Sequence, residues 1–101
     1  MERTELNSLL KSSIQRALLG EIFNELVAVS FDNDELRKLR ITYHLDREPT
    51  DADYESLSIV SAEVLADVDF QYIEEVCEYT EAPLLGLKAE NIAYVRKTKA
   101  D

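Results

Sequence analysis

The 101-residue chain holds one cysteine, Cys77, and one histidine, His44. A thiolate nucleophile needs a base beside it. Cys77 and His44 fall on different predicted strands, and neither sits in a recognisable local motif. Cys77 therefore reads as a core thiol, and His44 as a strand residue on the face away from the helices. A zinc site takes three or four ligands, and one His plus one Cys falls short. Carboxylates are the remaining chemistry. Asp32/Asp34, Asp51/Asp53 and Asp67/Asp69 each space two acids so that both could approach Mg²⁺ or Ca²⁺. None lies in an EF-hand loop, and turn and helix-cap roles explain the pairs more simply. A glycosidase-like carboxylate pair needs a substrate cleft, for which the chain is small. Only two glycines, Gly20 and Gly86, are present, so no glycine-rich phosphate loop can form. The expectation is no catalytic residue, no metal site and no cofactor.

Charge is the second signal. There are 21 acids against 11 Lys and Arg, giving a net charge of −10 and a pI near 4.5. That balance opposes binding to phosphate backbones or anionic membranes, where cations must displace counterions. The imbalance is local. Residues 46–81 hold twelve acids and one base, Arg47, for a net of −11, while the rest of the chain is +1. A focused negative surface steers a basic partner and fixes its orientation.

The elements that place these groups follow from periodicity. Residues 4–19 predict an amphipathic helix with Leu6, Leu9, Leu10, Ser13, Ile14 and Ala17 on one stripe, Thr4 as cap and Gly20 as C′ residue. Residues 25–31 predict a strand with Val27, Val29 and Phe31 on one face, ended by an Asp32-Asn33-Asp34 turn. Residues 38–45 alternate cleanly, with Leu39, Ile41, Tyr43 and Leu45 on one side and Lys38, Arg40, Thr42 and His44 on the other. Together these make a hairpin. Pro49 breaks the strand, Thr50 and Asp53 resemble a capping box, and residues 51–66 predict a helix. Its inner stripe is Tyr54, Leu57, Ser61, Val64 and Leu65. Residues 70–79 predict a third strand with a muddled alternation, because Glu74 and Glu75 put an acid on each face. A loop over 80–90 follows, whose Leu84, Leu85 and Leu87 should close one end of the core. Residues 92–96 predict a fourth strand, and 97–101 a polar tail.

The predicted fold class is α+β: one domain over 1–101, in helix–hairpin–helix–hairpin order. Its four-stranded antiparallel sheet is covered on one face by two helices. At 46% hydrophobic and 32% charged residues the composition is that of a folded soluble chain. The acidic N-terminus lacks the apolar run of a signal peptide, and a single cysteine fits a reducing, cytoplasmic setting.

Surface chemistry remains. Ile59 falls opposite the inner stripe and is flanked at four-residue spacing by Glu55 and Glu63, with Ala62 and Ala66 nearby. An apolar centre with a charged rim is the anatomy of a protein interface. Charge map and helix geometry together nominate Asp53, Glu55, Ile59, Glu63, Asp67, Asp69, Glu74, Glu75 and Glu78 as partner-binding residues.

A wider pattern joins these pieces. Leu18-Leu19-Gly20-Glu21-Ile22 is followed by a hairpin ending in residues 39–46, then Pro49 and the acidic helix start 51–56. Val60-Ser-Ala-Glu-Val-Leu-Ala-Asp67 and the closing Ala93-Tyr-Val-Arg-Lys97 complete it. This succession resembles the CdiI-type immunity proteins of bacterial contact-dependent growth inhibition and related polymorphic toxin systems. The resemblance implies a non-catalytic cytoplasmic protein that binds a cognate toxin domain. The absence of a coiled-coil repeat favours a monomer before a one-to-one complex forms. Many such toxins are nucleases with basic active sites, which the −11 segment would suit. Two other readings stand beside it. One is a small acidic regulatory or adaptor protein without a toxin partner; the other is a small carboxylate- and metal-dependent enzyme.

Overall fold

Residues Lys38–Leu45 form the strand that organises the molecule, and its alternation is the one read from the sequence. Leu39, Ile41, Tyr43 and Leu45 are fully buried against the helices, and Lys38, Arg40, Thr42 and His44 face the opposite way. The computed structural model describes residues 3–34, 37–80 and 88–96. In chain order the elements are α1 (Arg3–Ala17), β1 (Leu26–Asp34), β2 (Lys38–Leu45), α2 (Asp51–Asp67) and β3 (Tyr72–Tyr79). A single 3₁₀ turn (Ala89–Asn91) then leads into β4 (Ile92–Val95).

The sheet order is β3-β2-β1-β4. β1 pairs antiparallel with both β2 and β4, but β3 lies parallel to β2. The all-antiparallel sheet with a second hairpin is thereby corrected to a mixed sheet. Simple lengths explain it. Strand β2 carries the chain about 26 Å one way, and the 17-residue α2 carries it about 25 Å back. Residue 72 therefore starts beside Lys38, and the unit closes as a β–α–β crossover, which yields parallel strands. With β3 and β4 on opposite edges, they cannot pair.

The first hairpin is longer than its turn chemistry suggests. Asp32, Asn33 and Asp34 are not a turn but the last residues of β1, paired with Arg40, Leu39 and Lys38. Two of those pairs set an acid opposite a base, the favourable cross-strand combination. Asn33 is also tied to α1, its Nδ2 donating to Asn7 Oδ1 at 3.0 Å. At the other end, a register shift between Leu26 and Ala28 turns Leu26 to the helix side with Val29 and Phe31. Val27 is thus removed from the face predicted for it.

Both helices cover one face. From α1, Leu6, Leu10, Ser13, Ile14 and Ala17 are buried, whereas Leu9, expected on the same stripe, is exposed. The helix ends at Ala17, two residues short of the expected 19, and the turn that follows uses Gly20 at φ +86°. On α2 the buried positions are Asp53, Leu57, Val60, Ser61 and Val64. Val60 replaces Tyr54 in the inner stripe, and Tyr54 is exposed. The capping acid explains the rotation: once Asp53 points inward, its neighbour is turned by about 100°. The expected cap at Thr4, the leucines 84, 85 and 87, and the 97–101 tail lie outside the described side chains.

Candidate functional site

Two surfaces gather the acids of residues 46–81. The first is the sheet face that the helices leave uncovered. Here Ser30 Oγ lies 2.8 Å from His44 Nε2, and His44 Nδ1 is 3.2 Å from both Thr80 Oγ1 and Glu78 Oε1. Glu74 bridges Arg40 at 2.6 Å and Lys38 at 2.9 Å. Ser30, Arg40, His44, Glu74 and Glu78 line a groove of about 850 Å³ together with Asp32, Thr42, Val76, Glu90 and Asn91. The basic pair holds the Glu74 carboxyl below its ordinary range, chiefly through its hydrogen bonds to Lys38 and Arg40.

Burial lowers the His44 pKa below its ordinary 6.5, and Glu78 only partly opposes this. The folded protein thus prefers neutral His44. Its contribution to stability is complete above about pH 6.5 and is lost as pH falls from there through the depressed folded value. Urea midpoints measured between about pH 5 and 7 should show this decline in the parent chain. In His44→Gln the decline should shrink; an identical slope would show that His44 does not titrate in that window.

The second surface is the solvent side of α2. Glu55, Ile59 and Glu63 recur every four residues and share one stripe. Ile59 is 49% exposed, a large fraction for an isoleucine. Asp69, in the segment after the helix, is also exposed. Glu75 stands on the helix side of β3, where it accepts from Ser58 Oγ at 3.1 Å.

The other nominated acids are engaged within the fold. Asp53 is buried, its carboxylate accepting from both Arg47 terminal nitrogens (2.6 and 3.0 Å) and from the Thr50 N–H (2.7 Å) and Oγ (3.1 Å). The Arg47 hydrogen bonds hold its pKa below 3.8. Arg47 itself stacks over the Phe23 ring at 5.9 Å. Asp67 binds α1 through Ser13 Oγ (2.7 Å) and Arg16 (2.9 Å). Asp46 pairs with Arg96 at 2.7 Å. Four bases from outside the acidic segment (Arg16, Lys38, Arg40 and Arg96) are thus drawn onto it. Among the described residues, Glu48, Asp51, Glu55, Glu63, Asp69 and Glu75 keep no cationic partner within 4.0 Å. The surplus charge therefore concentrates on α2 and its flanks.

Cys77 is buried, and burial pushes its thiol pKa up to about 12. At that value the thiolate needed for nucleophilic work is not formed near neutral pH. Among the described residues no three His, Cys, Asp or Glu side chains gather as a metal site, and no helix is long and apolar enough to cross a membrane. Tyr54 is the residue that sequence reasoning misplaced most. Its hydroxyl reaches the Cys77 backbone, 3.4 Å from the carbonyl oxygen and 3.5 Å from the nitrogen. The capping acid one residue before it was the signal that fixed its direction.

The family model of the MafI2 immunity proteins matches residues 7–98, nearly the whole chain. The chain belongs to the MafI2 immunity protein family. The CdiI-type resemblance is thereby corrected to a coarser statement: an immunity protein of a polymorphic toxin system, in the MafI2 family and not specifically CdiI. Membership in the MafI2 family implies a cognate toxin protein as partner and a non-enzymatic mode of inhibition. No curated protein matches the chain. Among solved structures, it is similar to the metal-bound C-terminal domain of the CzcD transporter from Thermotoga maritima. The identity is 18%, covering 87% of this chain and 100% of that one, with a TM-score of 0.42. A likeness that remote carries no functional reading.

Proposed function

We propose that this MafI2-family chain neutralises its toxin by one-to-one binding through the unpaired acidic surface of α2, and that the toxin is a nuclease. Family membership supports the toxin partner. The observation that carries the surface is Ile59, exposed between Glu55 and Glu63, two acids of α2 that have no base within 4.0 Å among the described residues. An apolar centre desolvates on contact while the carboxylates around it select a cationic surface. Nuclease active sites are cationic because they hold phosphates, so carboxylates can occupy them as phosphate surrogates. Asp69 and Glu75 extend the acidic rim, and Glu74 and Glu78 lie on the separate sheet face. The chain acts in the cytoplasm in this reading, where a nuclease toxin finds its substrate.

Ile59→Asp tests the centre of the patch. Toxin affinity should fall about tenfold or more, as expected for an interface anchor, while the melting temperature moves by only about 1–2 °C, as for an exposed position. Titration calorimetry with the toxin domain and thermal melts separate the two. A large drop in melting temperature would place Ile59 in the core, and unchanged affinity would remove the patch from the interface.

A further inference from the structure

The two edges of the sheet differ in a way that points to a further site. β4 is four residues long and carries a register shift against β1. A short, irregular edge is a poor template for another strand. β3 is eight residues long and pairs with β2 without interruption from Lys38↔Tyr72 to Leu45↔Tyr79. It contains no proline, glycine or lysine and no bulge, so its defence rests on acids alone, Glu74, Glu75 and Glu78, which repel an acidic or like strand but not a basic one. Its backbone phase can be read directly. Tyr72 N–H donates to Arg37 C=O and Thr80 N–H to Leu45 C=O. In a parallel ladder the even-numbered residues between them therefore bond to β2, and Ile73, Glu75, Cys77 and Tyr79 turn their N–H and C=O groups outward.

One of those outward positions is covered. The Tyr54 hydroxyl sits at both polar groups of Cys77, at 3.4 and 3.5 Å. Contacts that long are weak, and Tyr54 is 42% exposed. We propose that the outer edge of β3, which no strand among the described residues pairs, is a docking site for an extended basic segment of the partner, added as a fifth strand, and that Tyr54 is the latch this segment displaces. The inference rests on the toxin-partner reading above and names a second contact with the same partner.

Charge complementarity selects the occupant. β3 carries Glu74, Glu75 and Glu78 and no base. A second copy is disfavoured by register. Two-fold pairing of β3 with itself is antiparallel and must join outward residues to outward residues. The two registers of greatest overlap then set Glu75 opposite Glu75, or Glu74 opposite Glu78 twice. Like charges directly opposed destabilise such a pair. A strand bearing Lys or Arg meets carboxylates on both faces instead, while main-chain hydrogen bonds supply the affinity.

The test uses the full chain and an octapeptide of alternating valine and lysine, followed by NMR. Binding should slow amide hydrogen exchange at Ile73, Glu75, Cys77 and Tyr79. The same peptide N-methylated at every amide keeps its charge but can donate to the ladder from neither edge, and it should not bind. Glu75→Pro removes an outward N–H while sparing the bonds to β2 and should weaken binding about tenfold or more. Glu75→Gln should cost about two- to threefold, and Tyr54→Phe should tighten binding about threefold by freeing Cys77. Equal binding of the methylated peptide, or exchange slowed elsewhere than β3, would overturn the proposal. So would a dimer of the free chain that Glu75→Pro dissolves. Unaltered toxin neutralisation by a folded Glu75→Pro chain would overturn the strand site alone. The toxin reading fails independently, when the parent chain neutralises no toxin.

Discussion

Asp53→Ala should unfold roughly 10 °C or more below the parent chain, corresponding to about 2–3 kcal/mol for a domain of this size. Two losses add up. The helix loses the acid half of its capping box, the carboxylate that accepts from the Thr50 N–H and hydroxyl, a cap usually worth about 0.5–2 kcal/mol. Arg47 loses its two-pronged carboxylate partner over Phe23 and keeps only the weaker attraction of Glu25 and Asp46. The Arg47 side chain is 37% exposed, so water recovers part of that last loss and the total stays below the range for a fully buried pair. The pH dependence follows from the depressed carboxyl. Stability from Asp53 is complete above its unfolded value of 3.8 and is lost as pH falls through the lower folded value. The gap between parent and variant should therefore close in strong acid. Thermal melts across pH measure it. An unchanged melting temperature with lost toxin affinity would instead make Asp53 a direct partner contact, as its charge alone suggests.

Charge reversal on the helix should act on kinetics. Glu55→Lys combined with Glu63→Lys replaces two unpaired acids on the exposed stripe by bases. Association with the toxin domain at low salt should slow by about tenfold to a hundredfold, with the parent and variant rates converging as salt rises. Dissociation should change less, because rim charges act mainly on encounter. The melting temperature should stay close to that of the parent, since neither glutamate has a partner among the described residues to lose. Stopped-flow rates against ionic strength decide the matter. A parent rate that is flat in salt would remove electrostatic steering from the mechanism.

These effects divide along the line between what composition reveals and what packing decides. The alternation of β2, the extent of α2 and the exposure of Ile59 were legible because each rests on local periodicity. The placement of His44 away from the helices followed from the same alternation. Sheet order was harder. β3 has acids on both faces because one pairs with Lys38 and Arg40 and the other meets Ser58 on α2. Neither neighbour is visible from β3 itself. The Asp32-Asn33-Asp34 run carries turn propensity, yet opposite charges across the ladder keep it in a strand. The acidic segment was legible as a total, whereas its partition depends on long-range partners. Arg16 finds Asp67, and Arg96 finds Asp46.

Strand β1 lies in the interior of the sheet, yet its neighbour β4 comes from the far end of the sequence, with Ala28 paired to Val95. The β1–β2 hairpin closes through a short loop, whereas joining β1 to β4 must close one of more than sixty residues. Non-local closures of that kind slow folding. Loop length alone therefore favours one order of assembly: hairpin first, crossover next, β4 last. In a chain whose β4 has not docked, the open side of β1 is a raw strand edge of the kind on which chains aggregate.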